Sequence, residues 1–159
     1  MPGKNYIQVG LRGYYPDADT FQWMREQQFR YHTMAEVERR GWDAVMKDVI
    51  REAKDGPENL FISFDIDTID PGFAPGTGTP EPGGLNPREV FPLVRRLCAE
   101  SNVVGFDLVE YAPDRDPGYV TGLIANRLLR ECLTGIAMRK LGLTDPSYFS
   151  PMTVDDGRN

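Results

Sequence analysis

The sequence predicts an α/β protein with a mostly parallel sheet between two layers of helices. Two observations support this prediction. Strand-like and helix-like segments alternate along the chain, and two of the strand-like segments are mostly apolar runs: Leu60–Phe64, broken only by Ser63, and Asn102–Val109. Such runs are typical of parallel strands that are buried on both faces. The alternation favours the same arrangement, because a parallel pair of strands needs a crossover connection. The length of 159 residues fits about one domain.

The first part of the chain predicts two short strands and three helices. The strands are expected at Tyr6–Leu11 and Arg30–Thr33, with a helix over Asp17–Gln28 between them. Thr33 and Glu36 have the spacing of a capping box, which marks the start of a second helix. The next helix has one apolar stripe at helical spacing, formed by Trp42, Val45, Met46, Val49, Ile50 and Ala53.

The second part of the chain continues the alternation around a long loop. Five glycines and five prolines lie within residues 71–87, a composition typical of turns and loops. Asn86 is then expected to be a helix N-cap, with Pro87 at the first helical position. A long helix is expected from about Pro117 to Lys140. We expect residues 1–143 to form the domain and residues 144–159 a polar, extended tail.

Composition excludes several classes of site and partner. There are 18 Lys and Arg residues and 24 Asp and Glu residues, so the formal net charge is -6 and the basic surface of a nucleic-acid-binding protein is absent. No apolar run approaches the roughly 20 residues of a membrane span, and the first residues lack a signal-peptide pattern. We therefore expect a cytoplasmic protein without nucleic-acid or membrane partners. His32 is the single histidine, and Cys98 and Cys132 form no disulfide framework or CxxC site.

Acidic residues follow both apolar strands, at the edge where parallel sheets bind their ligands. Asp65 and Asp67 end the first strand, and Asp107 and Glu110 end the second. If the backbone stays extended, the carboxylates of Asp65 and Asp67 point to the same side and can share a metal ion. Carboxylate oxygens suit hard cations such as Mg²⁺, Ca²⁺ or Mn²⁺. The alternative is that these aspartates cap loop amides, since Asp is common in turns.

Two longer segments carry a family resemblance. Residues 63–85 are S-F-D-I-D-T-I-D-P-G-F-A-P-G-T-G-T-P-E-P-G-G-L, and residues 105–117 are G-F-D-L-V-E-Y-A-P-D-R-D-P. Both resemble signature segments of the ureohydrolases, the arginase and agmatinase family. The P-E-P-G-G-L ending and the Q-V-G-L-R-G segment at Gln8–Gly13 look more like the agmatinase and guanidino-acid hydrolase branch. The resemblance extends to about Leu143 and implies an incomplete ureohydrolase-like fold.

The resemblance implies a hydrolase that acts on a small guanidino substrate. In that family a binuclear manganese site activates a bridging hydroxide, which attacks the guanidinium carbon and releases urea and an amine. By resemblance, Asp65 and Asp67 match metal ligands, Glu110 matches the glutamate that pairs with the guanidinium, and Thr79 lines the active site. Nickel in place of manganese stays open, because carboxylates together with imidazoles accept both metals.

The remaining acidic residues of these segments have structural interpretations. We expect Asp70 to hold the loop that begins at Pro71, and Asp107 to anchor the end of its strand. Arg12 could contact either a substrate carboxylate or a neighbouring subunit. Trp42 and Phe61 are expected on core faces. Packing is also the expected role of the aromatic residues near the substrate entrance that the resemblance implies, namely Tyr14, Tyr15 and Trp23.

The family's histidine-bearing metal motifs and its proton-shuttling histidine have no counterpart here. His32 matches none of them and is expected to be structural, so we assign no catalytic residue to this chain. The chain resembles the C-terminal half of a ureohydrolase, and on its own it is expected to be inactive. Two interpretations stay open: part of a hydrolase, or a non-catalytic ureohydrolase-like protein. An uncovered sheet edge would favour association, either as a homo-oligomer or with a companion ureohydrolase subunit.

Overall fold

The computed structural model describes residues 1–144, and its elements follow the predicted α/β order. The strands are β1 (Ile7–Leu11), β2 (Arg30–Thr33), β3 (Asn59–Asp65) and β4 (Asn102–Val109). The α-helices are α1 (Ala18–Glu26), α2 (Met34–Arg40), α3 (Trp42–Lys54), α4 (Pro87–Glu100) and α5 (Val120–Lys140). Short 3₁₀ helices span Gly3–Asn5, Ile66–Thr68, Pro113–Arg115 and Pro117–Tyr119. The predicted tail lies almost wholly outside the described residues.

The strands form two parallel pairs, β1 with β2 and β3 with β4. In the second pair Ser63 lies opposite Asp107 and Asp65 lies opposite Val109. This register brings the carboxyl ends of β3 and β4, with the acidic residues that follow them, to the same edge. Within the described residues each strand has one partner, so each pair leaves unpaired edges.

The helices begin where their side chains can satisfy free backbone amides. Asn86 caps α4 by accepting from the Glu89 N–H at 3.2 Å, and the Glu89 carboxylate accepts the Asn86 N–H at 2.8 Å. This reciprocal pair is a complete capping box. Thr33 caps α2 through the Glu36 N–H at 3.2 Å, but the Glu36 carboxylate contacts His32 and Arg40 instead of completing the box.

The hydrophobic core joins α3, α4 and α5 to one face of the β3–β4 pair. Phe64 is buried, and Leu60 and Ile62 pack against the same cluster. The opposite face is open: Phe61 is 60% exposed and lies across Gly105, and Val104 is 63% exposed. The expectation that these strands are buried on both faces, with Phe61 in the core, is therefore wrong for this chain. The described residues cover only one face of this strand pair, whereas Trp42 packs against the core as predicted.

Candidate active site

Asp65 ends β3 in an extended conformation, but Asp67 lies in the 3₁₀ turn that follows, so the two aspartates do not share one extended segment. The chain enters the 3₁₀ helix Ile66–Thr68 directly after Asp65. Oδ1 of Asp65 accepts the Asp67 N–H at 3.0 Å, so Asp65 is also the cap of that helix. A same-side arrangement was expected only if the backbone stayed extended, and that condition is not met, because the chain turns after Asp65 and the Asp65 carboxylate stabilises the turn. The alternative interpretation, a capped loop amide, applies to Asp65.

The carboxylates of Asp65 and Asp67 nevertheless interact, and Glu110 contributes to the same negative field. The pKa of Asp65 is raised to about 6, and burial is the largest cause; the Asp67 N–H opposes it. The charges of Asp67 and Glu110 contribute to the same rise, because a nearby negative charge disfavours ionisation of a second carboxylate. The described ion pairs include none of these three residues. This accumulation of negative charge, at two partly buried aspartates and an exposed glutamate, is favourable for a bound cation.

Thr79 joins this group from the Gly/Pro-rich loop. Its hydroxyl donates to Oδ2 of Asp67 at 3.1 Å. The loop is held by Asp70, whose Oδ1 accepts the Gly72 N–H at 2.8 Å and whose Oδ2 accepts the N–H groups of Gly83 and Gly84 at 2.7 and 3.2 Å. The predicted structural role of Asp70 is thus confirmed.

Glu110 follows β4 in a left-handed backbone conformation, with φ of 64°. Such a conformation is uncommon for a residue other than glycine and is often found at functional sites. A Cβ added to Gly78 would lie 3.7 Å from Oε2 of Glu110, so this carboxylate faces the backbone next to Thr79. The bridge between Thr77 and Tyr111 holds the two segments side by side.

The contacts of Asp107 and His32 test the structural roles that were expected for them. Oδ1 of Asp107 is buried and has no hydrogen-bond partner among residues 1–144. This atom therefore gives no support to the expectation that Asp107 anchors its strand. His32 is buried in β2, with Nδ1 3.0 Å from Glu36 and Nε2 3.2 Å from Glu52. These contacts confirm a structural role for His32.

The contacts of Arg12 were not predicted from the sequence. Its guanidinium donates to the backbone oxygens of Asp67 and Glu81, both at 2.6 Å. Gly10, two residues earlier, is the sequence feature that could have indicated these contacts, because an isolated glycine in a strand suggests a bulge or a close backbone approach. Aromatic residues near this segment are largely exposed: Tyr14, Tyr15 and Trp23.

The donors fit a hard cation in type but not in number. Asp65 and Asp67 offer carboxylate oxygens, the ligands that manganese and magnesium accept. No group of three or more His, Cys, Asp or Glu side chains within residues 1–144 is arranged to hold a metal ion. Neither aspartate lines the two surface grooves of about 420 and 280 Å³, although Arg12 lines the smaller one. The acidic site is thus an open, incomplete edge.

The profile of the Arginase family matches residues 1–135. This chain belongs to the Arginase family. Over 127 residues it is 39% identical to guanidinobutyrase of Pseudomonas aeruginosa, covering 80% of this chain and 39% of that protein. Over 129 residues it is 41% identical to the mitochondrial agmatinase of Gallus gallus, covering 80% and 36%.

The fold is similar to that of solved members of the Arginase family. The native structure of arginase from Bacillus caldovelox matches with a TM-score of 0.76 at 31% identity, covering 85% of this chain and 44% of that one. The α/β fold and the family resemblance predicted from sequence are confirmed. The chain spans about two fifths of the length of the curated relatives it matches. Among residues 1–144 no helix has the length and apolarity needed to cross a membrane.

Proposed function

We propose that this chain supplies part of the active site of an agmatinase-like hydrolase, which converts a guanidino compound to urea and an amine. The observation that supports the proposal most directly is the convergence of Asp65, Asp67, Thr79 and Glu110 at the carboxyl ends of β3 and β4. The guanidinobutyrase and agmatinase named above act on compounds of this class, as their names state.

The proposed metal ligands are Asp65 and Asp67, and the proposed metal is manganese or nickel. When bound, such a metal lowers the pKa of a coordinated water and so supplies a nucleophile at neutral pH. Two carboxylates fall short of the roughly six ligands that such a metal normally takes. The isolated chain is therefore expected to bind less than one tightly held Mn²⁺ per monomer and to release no urea from agmatine.

The proposed substrate contacts are Glu110 and Thr79. Glu110 is exposed, and its carboxylate can accept two parallel N–H bonds from a guanidinium group. Thr79 donates its hydroxyl proton to Asp67, so the lone pairs of its oxygen remain for a substrate N–H. Agmatine, guanidinobutyrate and guanidinopropionate would all present the same group to Glu110.

A calorimetric Mn²⁺ titration of the chain tests the metal assignment. Asp65→Ala should abolish whatever Mn²⁺ binding the chain shows, and Asp114→Ala, which removes an exposed aspartate, should leave it unchanged. Unchanged Mn²⁺ affinity in Asp65→Ala would contradict Asp65 as a ligand. Stoichiometric metal with turnover, in a preparation shown by mass spectrometry to be free of host ureohydrolase, would contradict the proposed inactivity.

We further propose that the chain associates through its open strand pair, with a second copy or with a companion ureohydrolase subunit. Phe61 and Val104 are exposed on β3 and β4, and exposed apolar strands attract other chains. Phe61→Ser should lower the self-association measured by sedimentation, whereas Leu133→Ser, a change of an exposed residue on α5, should not. A wild-type chain that sediments as a single monomeric species and captures no ureohydrolase subunit would contradict this proposal.

A further inference from the structure

Arg12 lies directly beyond β1, and its guanidinium connects three separate segments of the chain. Nε and Nη2 donate to the carbonyl oxygen of Glu81 at 3.0 and 2.6 Å. Nη2 also donates to the carbonyl oxygen of Asp67 at 2.6 Å, and Nη1 donates to that of Gly10 at 3.3 Å. The end of β1, the turn that carries Asp67 and the Gly/Pro-rich loop therefore meet at one side chain.

A β-bulge at Gly10 explains why Arg12 is directed at these segments. The pairing of β1 with β2 shifts register between Val9 and Leu11, and Gly10 has a φ of 95°. Bulges redirect the side chains that follow, and this φ strongly favours glycine. A Cβ at Gly10 would lie 2.2 Å from Oγ1 of Thr68, so the missing side chain also permits close approach of β1 to the 3₁₀ turn.

We propose that Arg12 is a positioning residue, which fixes the backbone of Asp67 relative to the loop that carries Thr79. The contacts form a closed ring. Arg12 binds the carbonyl oxygen of Asp67, the carboxylate of Asp67 accepts the Thr79 hydroxyl at 3.1 Å, and the chain from Thr79 to Glu81 returns to Arg12. The orientation of Asp67 is thus controlled at both its backbone and its side chain. Its relevance to metal binding rests on the proposed function.

The number of N–H donors on Arg12 decides whether its side chain can also bind a substrate carboxylate, one of the two roles that the sequence left open. A guanidinium has five N–H groups. The contacts to the three carbonyl oxygens use one at Nε, two at Nη2 and one at Nη1. The single N–H that remains is too few for the two parallel bonds with which arginine grips a carboxylate. Arg12 is therefore committed to the loop and not to a substrate carboxylate.

Two measurements on the 159-residue chain test this role. Hydrogen exchange with mass spectrometry reports on the bonded amides of residues 67–85, and calorimetry reports the Mn²⁺ affinity. Arg12→Gln should speed exchange in residues 67–85 while leaving α5 unchanged, and it should weaken Mn²⁺ binding about 10- to 100-fold, the usual effect of losing a residue that orients a metal ligand. Arg12→Lys should restore part of both, because one ammonium cannot span three carbonyl oxygens.

Two control variants separate positioning from charge and from global stability. Arg139→Gln removes an exposed charge at the end of α5, and Asp17→Ala removes the cap of α1, which accepts the Thr20 N–H at 2.8 Å. Both should leave exchange in residues 67–85 and Mn²⁺ affinity unchanged. If Arg12→Gln loses protection throughout the chain, Arg12→Lys becomes the test, and faster exchange confined to residues 67–85 supports the proposal.

Failure of this inference can be distinguished from failure of the proposed function. Wild-type exchange of residues 67–85 in Arg12→Gln would overturn the positioning role, whatever the metal data show. A wild-type chain that takes up no Mn²⁺, combined with local loss of protection in Arg12→Gln, would support the role of Arg12 in holding the loop and would count against the metal assignment alone.

Discussion

Replacing Asp70 with alanine should loosen the loop that carries the proposed substrate contact. The carboxylate of Asp70 accepts three backbone N–H groups, from Gly72, Gly83 and Gly84. The Gly72 N–H is the largest cause of the lowered pKa of Asp70; burial opposes it, and the other two amides add to it. The ionised carboxylate is therefore the form that the loop binds.

The size of the effect follows from the number and exposure of these bonds. A net contribution of about 1 kcal/mol per bond is typical, and solvent reduces it at the two exposed glycines, so Asp70→Ala should cost roughly 2–3 kcal/mol. At about 2–4 °C per kcal/mol for a chain of this size, Tm should fall by roughly 4–12 °C. Asp70→Asn should cost less, because its single amide oxygen keeps one of the two acceptor positions.

Urea denaturation followed by circular dichroism measures the free energy of unfolding, and hydrogen exchange reports on residues 67–85. Asp114→Ala is the control, since Asp114 is exposed and should change stability by less than about 0.5 kcal/mol. Asp70→Ala with wild-type stability and wild-type exchange in the loop would refute the conclusion that Asp70 holds it.

Two further predictions concern the helices behind the site. Burial opposes ionisation of Asp116, yet two backbone N–H groups at the start of α5 lower its pKa. The native chain should therefore have a larger free energy of unfolding than Asp116→Asn, and the full difference should be present above about pH 4, the ordinary pKa of Asp. The difference should disappear as pH falls through the lower pKa of Asp116 in the folded chain. A difference that does not depend on pH would contradict this. Glu131 is buried and pairs with Arg95 and Arg127. Glu131→Ala should cost about 3–5 kcal/mol, whereas a loss as small as that of the exposed-site control Glu38→Ala would contradict the prediction.

The start of α4 was predictable because it depends on local chemistry, whereas α5 begins at Val120 and not at Pro117 as expected, because residues 117–119 form a separate 3₁₀ helix. Asn86 and Pro87 determine the start of α4 through the capping box and the fixed φ of proline, and both signals lie within four residues. The apolar stripe that begins at Trp42 likewise marks the buried face of α3. These features need no knowledge of distant parts of the chain.

The exposure of β3 was not predictable from its sequence. Phe61 belongs to a continuous apolar run, which is typical of a strand covered on both faces. Whether a second layer is present depends on residues outside the run, and the described residues cover only one face of the β3–β4 pair.

The sequence placed Asp65 and Asp67 at the carboxyl end of a strand but did not reveal the backbone geometry there. Their spacing brings both carboxylates to one side only if the backbone stays extended, whereas the carboxylate of Asp65 caps a 3₁₀ turn. The position of Arg12 depends on a bulge at Gly10 and on a loop some 70 residues away in the sequence. Neither the turn nor the long-range contact leaves a periodic pattern in the sequence.

We propose that the carboxylates of Asp65 and Asp67 face one cation position beside Glu110. Anomalous scattering at the manganese edge, from crystals of the chain equilibrated with millimolar Mn²⁺, tests it most directly. We predict a peak in contact with both aspartates, which is lost in Asp65→Ala crystals. Carboxylates that turn away from each other, or a manganese peak bound elsewhere with none at this edge, would contradict it.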